Sequence, residues 1–298
     1  MAPRCGSWEE KSALKNSGLF TKAKVGLQLV TYPVIKKLGL ISVPKSDGEG
    51  SHASPPNAHG KEMEAFYASQ KEGYDLFREA LLPGRGCMVN LLPVLKANED
   101  QQKMIWVDVG GGTARNLEFF PLDTLRRHFS TIYIVDVSTS LLEMARQRVE
   151  AAGLQDMVVI MEQDFTARDT VKNLCGAGAA DLVTFSYSLS MIPQQRVALE
   201  NASKLLKPGG VGTLAVADFF LRGTRDSTQK GLVRCARGLE RLFQKLWFEQ
   251  DGVHMLGKDT LNMVEEHGTK VLDTRFRSSV PFLPLLRPYH GVMMVSSN

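Results

Sequence analysis

The chain has 298 residues, of which 43% are hydrophobic and 23% charged, the make-up of a folded globular protein with room for one catalytic domain and appendages. A formal net charge of +4 and a pI near 8.8 are mildly basic, which suits an anionic membrane surface or anionic cosubstrate and gives no indication of nucleic acid. The four cysteines, Cys5, Cys87, Cys175 and Cys235, lie far apart with no C-x-x-C pair, so neither a disulfide framework nor a zinc site is expected, and they read as reduced thiols in an intracellular protein.

Residues 1–15 contain Glu9 and Glu10 and lack an apolar core, which argues against a secretory or transit signal. Residues 18–40 mix Leu, Val, Ile and Phe with Lys22, Lys24, Lys36 and Lys37, an amphipathic helical pattern kinked near Pro33. Two readings stay open for it: a helix packed on the domain, or an interfacial segment with its lysines at lipid headgroups. It falls short of the roughly 20 apolar residues that span a bilayer. Residues 44–60, rich in Ser, Pro and Gly, read as a flexible linker. The chain thus divides into an arm, 1–43, a linker, 44–60, and a catalytic domain, 61–298.

Within the domain, Phe66, Tyr67, Tyr74 and Phe77 recur at helical spacing over 62–78. Extended apolar runs then alternate with helical ones: strands at 104–109, 132–137, 158–161, 181–185 and 212–218, helices at 117–128, 140–152, 169–174 and 194–206. Such alternation predicts βαβ units and a parallel sheet covered on both faces. Two more helices are expected at 230–248 and 259–267. Runs at 270–278 and 291–296, joined by a proline-rich stretch at 281–288, predict a closing antiparallel hairpin. No internal repeat is apparent.

The chemistry concentrates at the ends of the strands. After Ile105-Trp106-Val107 comes the turn Asp108-Val109-Gly110-Gly111-Gly112-Thr113, where glycines let the backbone turn sharply and a ligand approach without a Cβ in the way. The dinucleotide pattern G-x-G-x-x-G would need glycine where Arg115 stands, and no G-K-[ST] triplet follows for a P-loop. Asp108 would repel a pyrophosphate but can engage, directly or through water, the ammonium of an amino-acid moiety. S-adenosylmethionine carries that ammonium and no phosphate. Asp136 ends the next strand, where a carboxylate can accept from both ribose hydroxyls. Asp164-Phe165 follows the third, with a carboxylate for the adenine amino group and a ring for a base face. One acid at a strand end is commonly a turn or cap residue; three in successive βα connections point to a cofactor site. The next strand leads into Ser186-Tyr187-Ser188, whose hydroxyl and aromatic groups would lie beside the transferred methyl.

These segments resemble a known family. Phe66-Tyr67 through Tyr74-Asp75, Arg78 and Leu81-Leu82-Pro83-Gly84-Arg85, then Trp106 to Thr113, then Thr184 to Pro193, are together similar to the methyltransferase part of betaine lipid synthase. They are also similar to the bacterial N-methyltransferase that completes diacylglyceryl-N,N,N-trimethylhomoserine. Trp247-Phe248 and Val280 to Pro284 extend the likeness to the C-terminus. The resemblance implies a Rossmann-like class I methyltransferase with a mostly parallel seven-stranded sheet, an antiparallel C-terminal hairpin and helices on both faces. It implies S-adenosyl-L-methionine as cofactor, no metal, and a site with Asp108, Gly110, Gly111, Gly112, Thr113, Asp136, Asp164, Phe165, Ser186 and Arg78 toward the cofactor. Tyr187, Tyr67 and Tyr74 would face the reacting amine, whose proton would go to water or to a weak base such as Tyr67, Tyr74 or His254.

The implied reaction is successive methylation of the amine of diacylglyceryl-homoserine, by an enzyme in the cytoplasm or peripheral on a membrane, the endoplasmic reticulum in a eukaryotic cell. The aminocarboxypropyl-transferring domain to which eukaryotic betaine lipid synthases join this one has no counterpart in the sequence, so a separate polypeptide would supply the precursor. Another lipid or small-molecule acceptor, such as phosphatidylethanolamine or a quinone, and an inactive cofactor-binding module remain as alternatives. Ala114 stands where the family usually has glycine, and alanine tolerates positive φ poorly.

Overall fold

The computed structural model describes residues 82, 84–86, 88, 89, 102–220, 253–277 and 289–298. The expected helices at 62–78 and 230–248, the arm, the linker and the connection at 281–288 lie outside the described residues.

Five strands and their helices alternate as the sequence predicts: β1 (Met104–Val109), α1 (Leu122–His128), β2 (Phe129–Asp136), α2 (Thr139–Ala151), β3 (Val158–Glu162), α3 (Thr170–Asn173), β4 (Leu182–Ser186), α4 (Gln195–Leu205) and β5 (Thr213–Phe219). Then come α5 (Lys258–Glu266), β6 (Gly268–Arg277) and β7 (Tyr289–Ser297). They form a seven-stranded sheet in the order β3-β2-β1-β4-β5-β7-β6, with β7 antiparallel to both β5 and β6. This is the Rossmann-like methyltransferase arrangement. The strand order reverses between β1 and β4, which opens a crevice at their carboxyl ends, the ordinary ligand site of an open α/β sheet.

The pleat explains the two cores. Trp106 of β1, Leu182 of β4, Ala215 and Ala217 of β5 and Met294 of β7 belong to one apolar cluster, and the residues between them, Val107, Val183, Val216 and Val295, belong to the other. Successive side chains point to opposite faces, so each strand feeds both layers. Trp106 anchors the first layer, packing against Phe129 at 5.4 Å and edge-on against Phe120 at 6.0 Å.

One element differs from expectation. The helix expected over 117–128 is a 3-10 turn, Arg115–Phe119, followed by α1, with Phe120 extended at ψ 143° and Pro121 at ψ 142° between them. Proline disfavours helical geometry in the residue before it and has no N–H for an intrahelical bond. The closing antiparallel hairpin forms as expected, with β7 between β5 and β6.

Candidate active site

The glycine turn after β1 is wound by left-handed residues: Gly110 at φ 65°, Gly112 at φ 55° and Ala114 at φ 57°. Gly110 and Gly111 both donate their amides to the Val135 carbonyl, at 2.8 and 3.2 Å. The turn therefore hangs from the end of β2. A Cβ on Gly110 would sit 2.3 Å from that of Ser188, so this position is closed to side chains by packing as well as by φ. Ala114, fully buried, occupies the left-handed region despite its Cβ, at a cost of about 1–2 kcal/mol by the usual preference of L-residues. Alanine thus preserves the geometry that glycine would give.

Beside the turn, Asp136 accepts from the Gly112 amide at 2.9 Å with one oxygen and from the Ser138 amide at 3.0 Å with the other. Its side chain lies at the wall of a cavity bounded by Gly110, Val137, Gln163, Asp164, Tyr187 and Met191 among others. A carboxylate offers about four lone-pair directions, so it can accept from ligand hydroxyls as well as from backbone amides. Asp164, on the same wall, takes the Thr166 amide at 2.8 Å and hydroxyl at 2.7 Å on Oδ1. Phe165 also borders the cavity, although its ring is buried edge-on against Phe185 at 5.8 Å.

Asp108 departs from its expected place. It has no exposed surface and does not line the cavity. Its Oδ1 accepts from the Thr184 hydroxyl at 2.6 Å and its Oδ2 from the Asn116 side-chain amide at 2.8 Å. Trp106 Nε1 in turn donates to Thr184 Oγ1 at 2.8 Å, and the Arg85 guanidinium donates through Nε and Nη2 to Asn116 Oδ1 at 3.3 and 3.2 Å. The reason is the pleat: Asp108, two residues after Trp106, points into the same layer, beneath the turn. Burial pushes its carboxyl up to about 6 against the pull of Thr184, Asn116 and Arg85.

The remaining expected residues divide clearly. Tyr187 lines the cavity, with φ 55° and 2% exposure. Ser186 does not; its hydroxyl is buried at the end of β4 without a hydrogen-bond partner. Gly111, Gly112 and Thr113 shape the turn and are not part of the wall. His254 is exposed, away from the cavity, and is held by its amide to the Ser190 carbonyl at 2.7 Å. Tyr67, Tyr74 and Arg78 lie outside the described residues. Among the described residues no group of three His, Cys, Asp or Glu side chains could hold a metal ion.

The structure adds residues that sequence reasoning passed over. Val137, Met191, Ile192 and Pro193 supply an apolar wall, and Gln163 and Gln194 flank the mouth. Ser138 caps α2 by accepting from the Leu141 amide at 3.4 Å, a role that a serine just before a helical apolar pattern signals. Asn116 and His290 act from behind the wall and carry no local motif, and Arg85 and Thr184, which fall within the segments of resemblance, act from there as well.

These residues fit S-adenosylmethionine: an acceptor for ribose at Asp136, one for the adenine amino group at Asp164, an apolar slot for the base, and a backbone turn with no phosphate cradle. Residues 107–211 match the model of a methyltransferase domain family. The chain is 25% identical over 214 residues to methyltransferase GfsG of Streptomyces halstedii, covering 63% of this chain and 73% of that protein. It is 24% identical over 215 residues to the tRNA 5-carboxymethoxyuridine methyltransferase of Escherichia coli K12, covering 63% and 79%. Among solved structures, the 1,6-didemethyltoxoflavin-N1-methyltransferase of Burkholderia thailandensis, determined with S-adenosylhomocysteine, superposes with a TM-score of 0.50 at 14% identity over 86% of this chain and 98% of that one. With the domain model matched over 107–211, these methyltransferase relatives, the fold and the site, the chain is an S-adenosylmethionine-dependent methyltransferase.

Two outcomes follow from the acids. Asp136→Ala removes an ionic acceptor and unties Gly112, so S-adenosylhomocysteine affinity should fall about 10- to 100-fold in calorimetry, as loss of hydrogen bonds to a charged group implies; unchanged affinity contradicts the assignment. For Asp108 the folded pKa of about 6 lies above the ordinary aspartate value of 3.8, so the folded state takes up the proton first. The cost of burying the charge is full above the folded pKa and is relieved as pH falls through it. Relative to Asp108→Asn, the unsubstituted chain should gain about 1 kcal/mol of unfolding free energy between pH 7 and pH 5. A stability difference between the two proteins that is the same at pH 7 and pH 5 would contradict this.

Proposed function

We propose that the chain transfers methyl groups from S-adenosylmethionine to the amine of diacylglyceryl-homoserine, producing the trimethylated betaine lipid. The observation that carries the reading is Tyr187, an aromatic residue on the cavity wall at the end of β4, in the middle of the segment through which the sequence resembles that family. When bound, the cofactor supplies a methyl already activated on a sulfonium.

The chain's own residues align and enclose. Asp136 and Asp164 fix the nucleoside end, the turn at 110–114 sets how far it enters, and the Tyr187 wall faces the acceptor. Holding amine and methyl in line can lower the barrier by about 7–11 kcal/mol. As methyls accumulate, the product cation loses its N–H donors and is better held by an aromatic face, a contact worth about 0.5–2 kcal/mol. The amine gives up its proton before attack, to water or to Tyr67 or Tyr74.

A lipid acceptor requires a membrane surface. No described helix is long and apolar enough to cross a membrane, and access from the surface is assigned to the arm, with Lys22, Lys24, Lys36 and Lys37 at the headgroups. The precursor comes from a separate aminocarboxypropyltransferase. The test is incubation of the full chain with radiolabelled S-adenosylmethionine and lipid extracts containing diacylglyceryl-homoserine. Labelled mono-, di- and trimethylated homoserine lipids are expected. Label in phosphatidylcholine or a quinone alone overturns the acceptor, and no label despite cofactor binding overturns the enzymatic reading.

A further inference from the structure

The Tyr187 hydroxyl joins three parts of the chain that are remote in sequence. The Gly84 amide lies 2.9 Å from it and Nδ1 of His290, in β7, lies 2.8 Å from it. The Tyr187 backbone amide donates to the Ala217 carbonyl of β5 at 2.7 Å. Its ring meets Phe219 edge-on at 5.0 Å, and His290 stacks on Phe276 of β6 at 5.4 Å. A Cβ at position 84 would come within 2.7 Å of the phenol oxygen, so the contact requires glycine there.

An amide N–H can only donate, so Gly84 occupies a lone pair of the phenol oxygen. The bond to Nδ1 takes its direction from the His290 tautomer, and the phenol donates where Nδ1 carries no proton. A neutral imidazole carries one N–H, which then sits on Nε2. His290 has no exposed surface, and burial lowers its pKa to about 3. An imidazole that is protonated only in strong acid cannot store a proton taken from an amine near neutral pH, so a Tyr187–His290 proton relay is excluded on energy despite its good geometry.

We infer that His290 is a positioning residue for the acceptor side of the site: as the Nε2–H tautomer it accepts the Tyr187 hydroxyl proton, which turns the phenol oxygen toward the Gly84 amide and fastens the segment before β1 to the cavity wall. The clasp also holds Tyr187 at φ 55°, a conformation that a bulky aromatic residue keeps only when its surroundings impose it. The acceptor-facing wall is thereby set by β7 and by Gly84, neither of which contributes to the cofactor turn.

Nitrogen NMR of the full chain labelled at histidine tests this directly, with the His290 signal identified by its absence in His290→Phe. The expected signature is an unprotonated Nδ1 and a protonated Nε2, unchanged from about pH 5 to about pH 8. A protonated Nδ1, or titration in that range, overturns the inference. Hydrogen exchange gives the second readout. In Tyr187→Phe the Gly84 amide should exchange several-fold to about tenfold faster, as loss of one buried hydrogen bond implies, while the amides of β1 to β3 keep their protection. His290→Asn, whose side-chain oxygen can take the phenol proton, should retain protection that His290→Phe loses. Unaltered exchange at Gly84 in Tyr187→Phe overturns the clasp, and where His290→Phe fails to fold, His290→Asn identifies the wild-type His290 signal that decides the tautomer.

Discussion

A carboxylate with no exposed surface lies beneath the cofactor turn, and the site is assembled around its satisfaction. Removing an ionised carboxylate from water costs several kcal/mol unless its oxygens find donors. Asp108 finds them on separate elements: the Thr184 hydroxyl on β4 and the Asn116 amide on the 3-10 turn. Behind these stand Trp106, bonded to Thr184, and Arg85, bonded to Asn116. Any shift of β4 against β1, or of the turn against either, would strip a donor from the buried charge. The strand end, the turn and the segment before β1 are thus held in one register by a polar network inside an apolar layer. Removing one member would cost more than one ordinary surface hydrogen bond.

With that register fixed, the turn can be tight. Gly110 meets Ser188 where no Cβ would fit, and its amide and that of Gly111 converge on the Val135 carbonyl. Asp136, at the end of the same strand, ties down Gly112 while facing the cavity. One carboxylate shapes the turn and is placed to accept from a ribose; the other, Asp108, supports it from below. Two acids that look alike in sequence therefore do different work, and what separates them is burial.

Much of this was legible from residue pattern. Alternating strands and helices predict the doubly covered sheet, and the positions of Gly110, Asp136, Asp164 and Tyr187 after apolar strands bring them to one cavity. The rest depends on contacts between distant segments. The period-two pleat puts Asp108 on the same face as Trp106, but only the three-dimensional turn shows that Asp108 is buried outside the cavity lining. Ser186 and Tyr187 are adjacent, yet the left-handed backbone at Tyr187 turns its ring to the wall and leaves Ser186 behind it. His290 follows Pro288-Tyr289 with no motif around it, and becomes visible only because β7 inserts between β5 and β6. The break at Pro121 was legible in principle, since proline punctuates helices; the apolar run across it concealed it.

The central claim is that this cavity seats S-adenosylmethionine with its ribose on Asp136 and its adenine beside Asp164. A crystal structure of the chain with S-adenosylhomocysteine measures that placement directly. The account predicts both ribose hydroxyls within hydrogen-bond distance of the Asp136 carboxylate, the base in the slot beside Asp164 and Phe165, and Asp108 still bonded to Thr184 and Asn116 below the turn. A nucleoside bound elsewhere, or with its ribose turned away from Asp136, would contradict it.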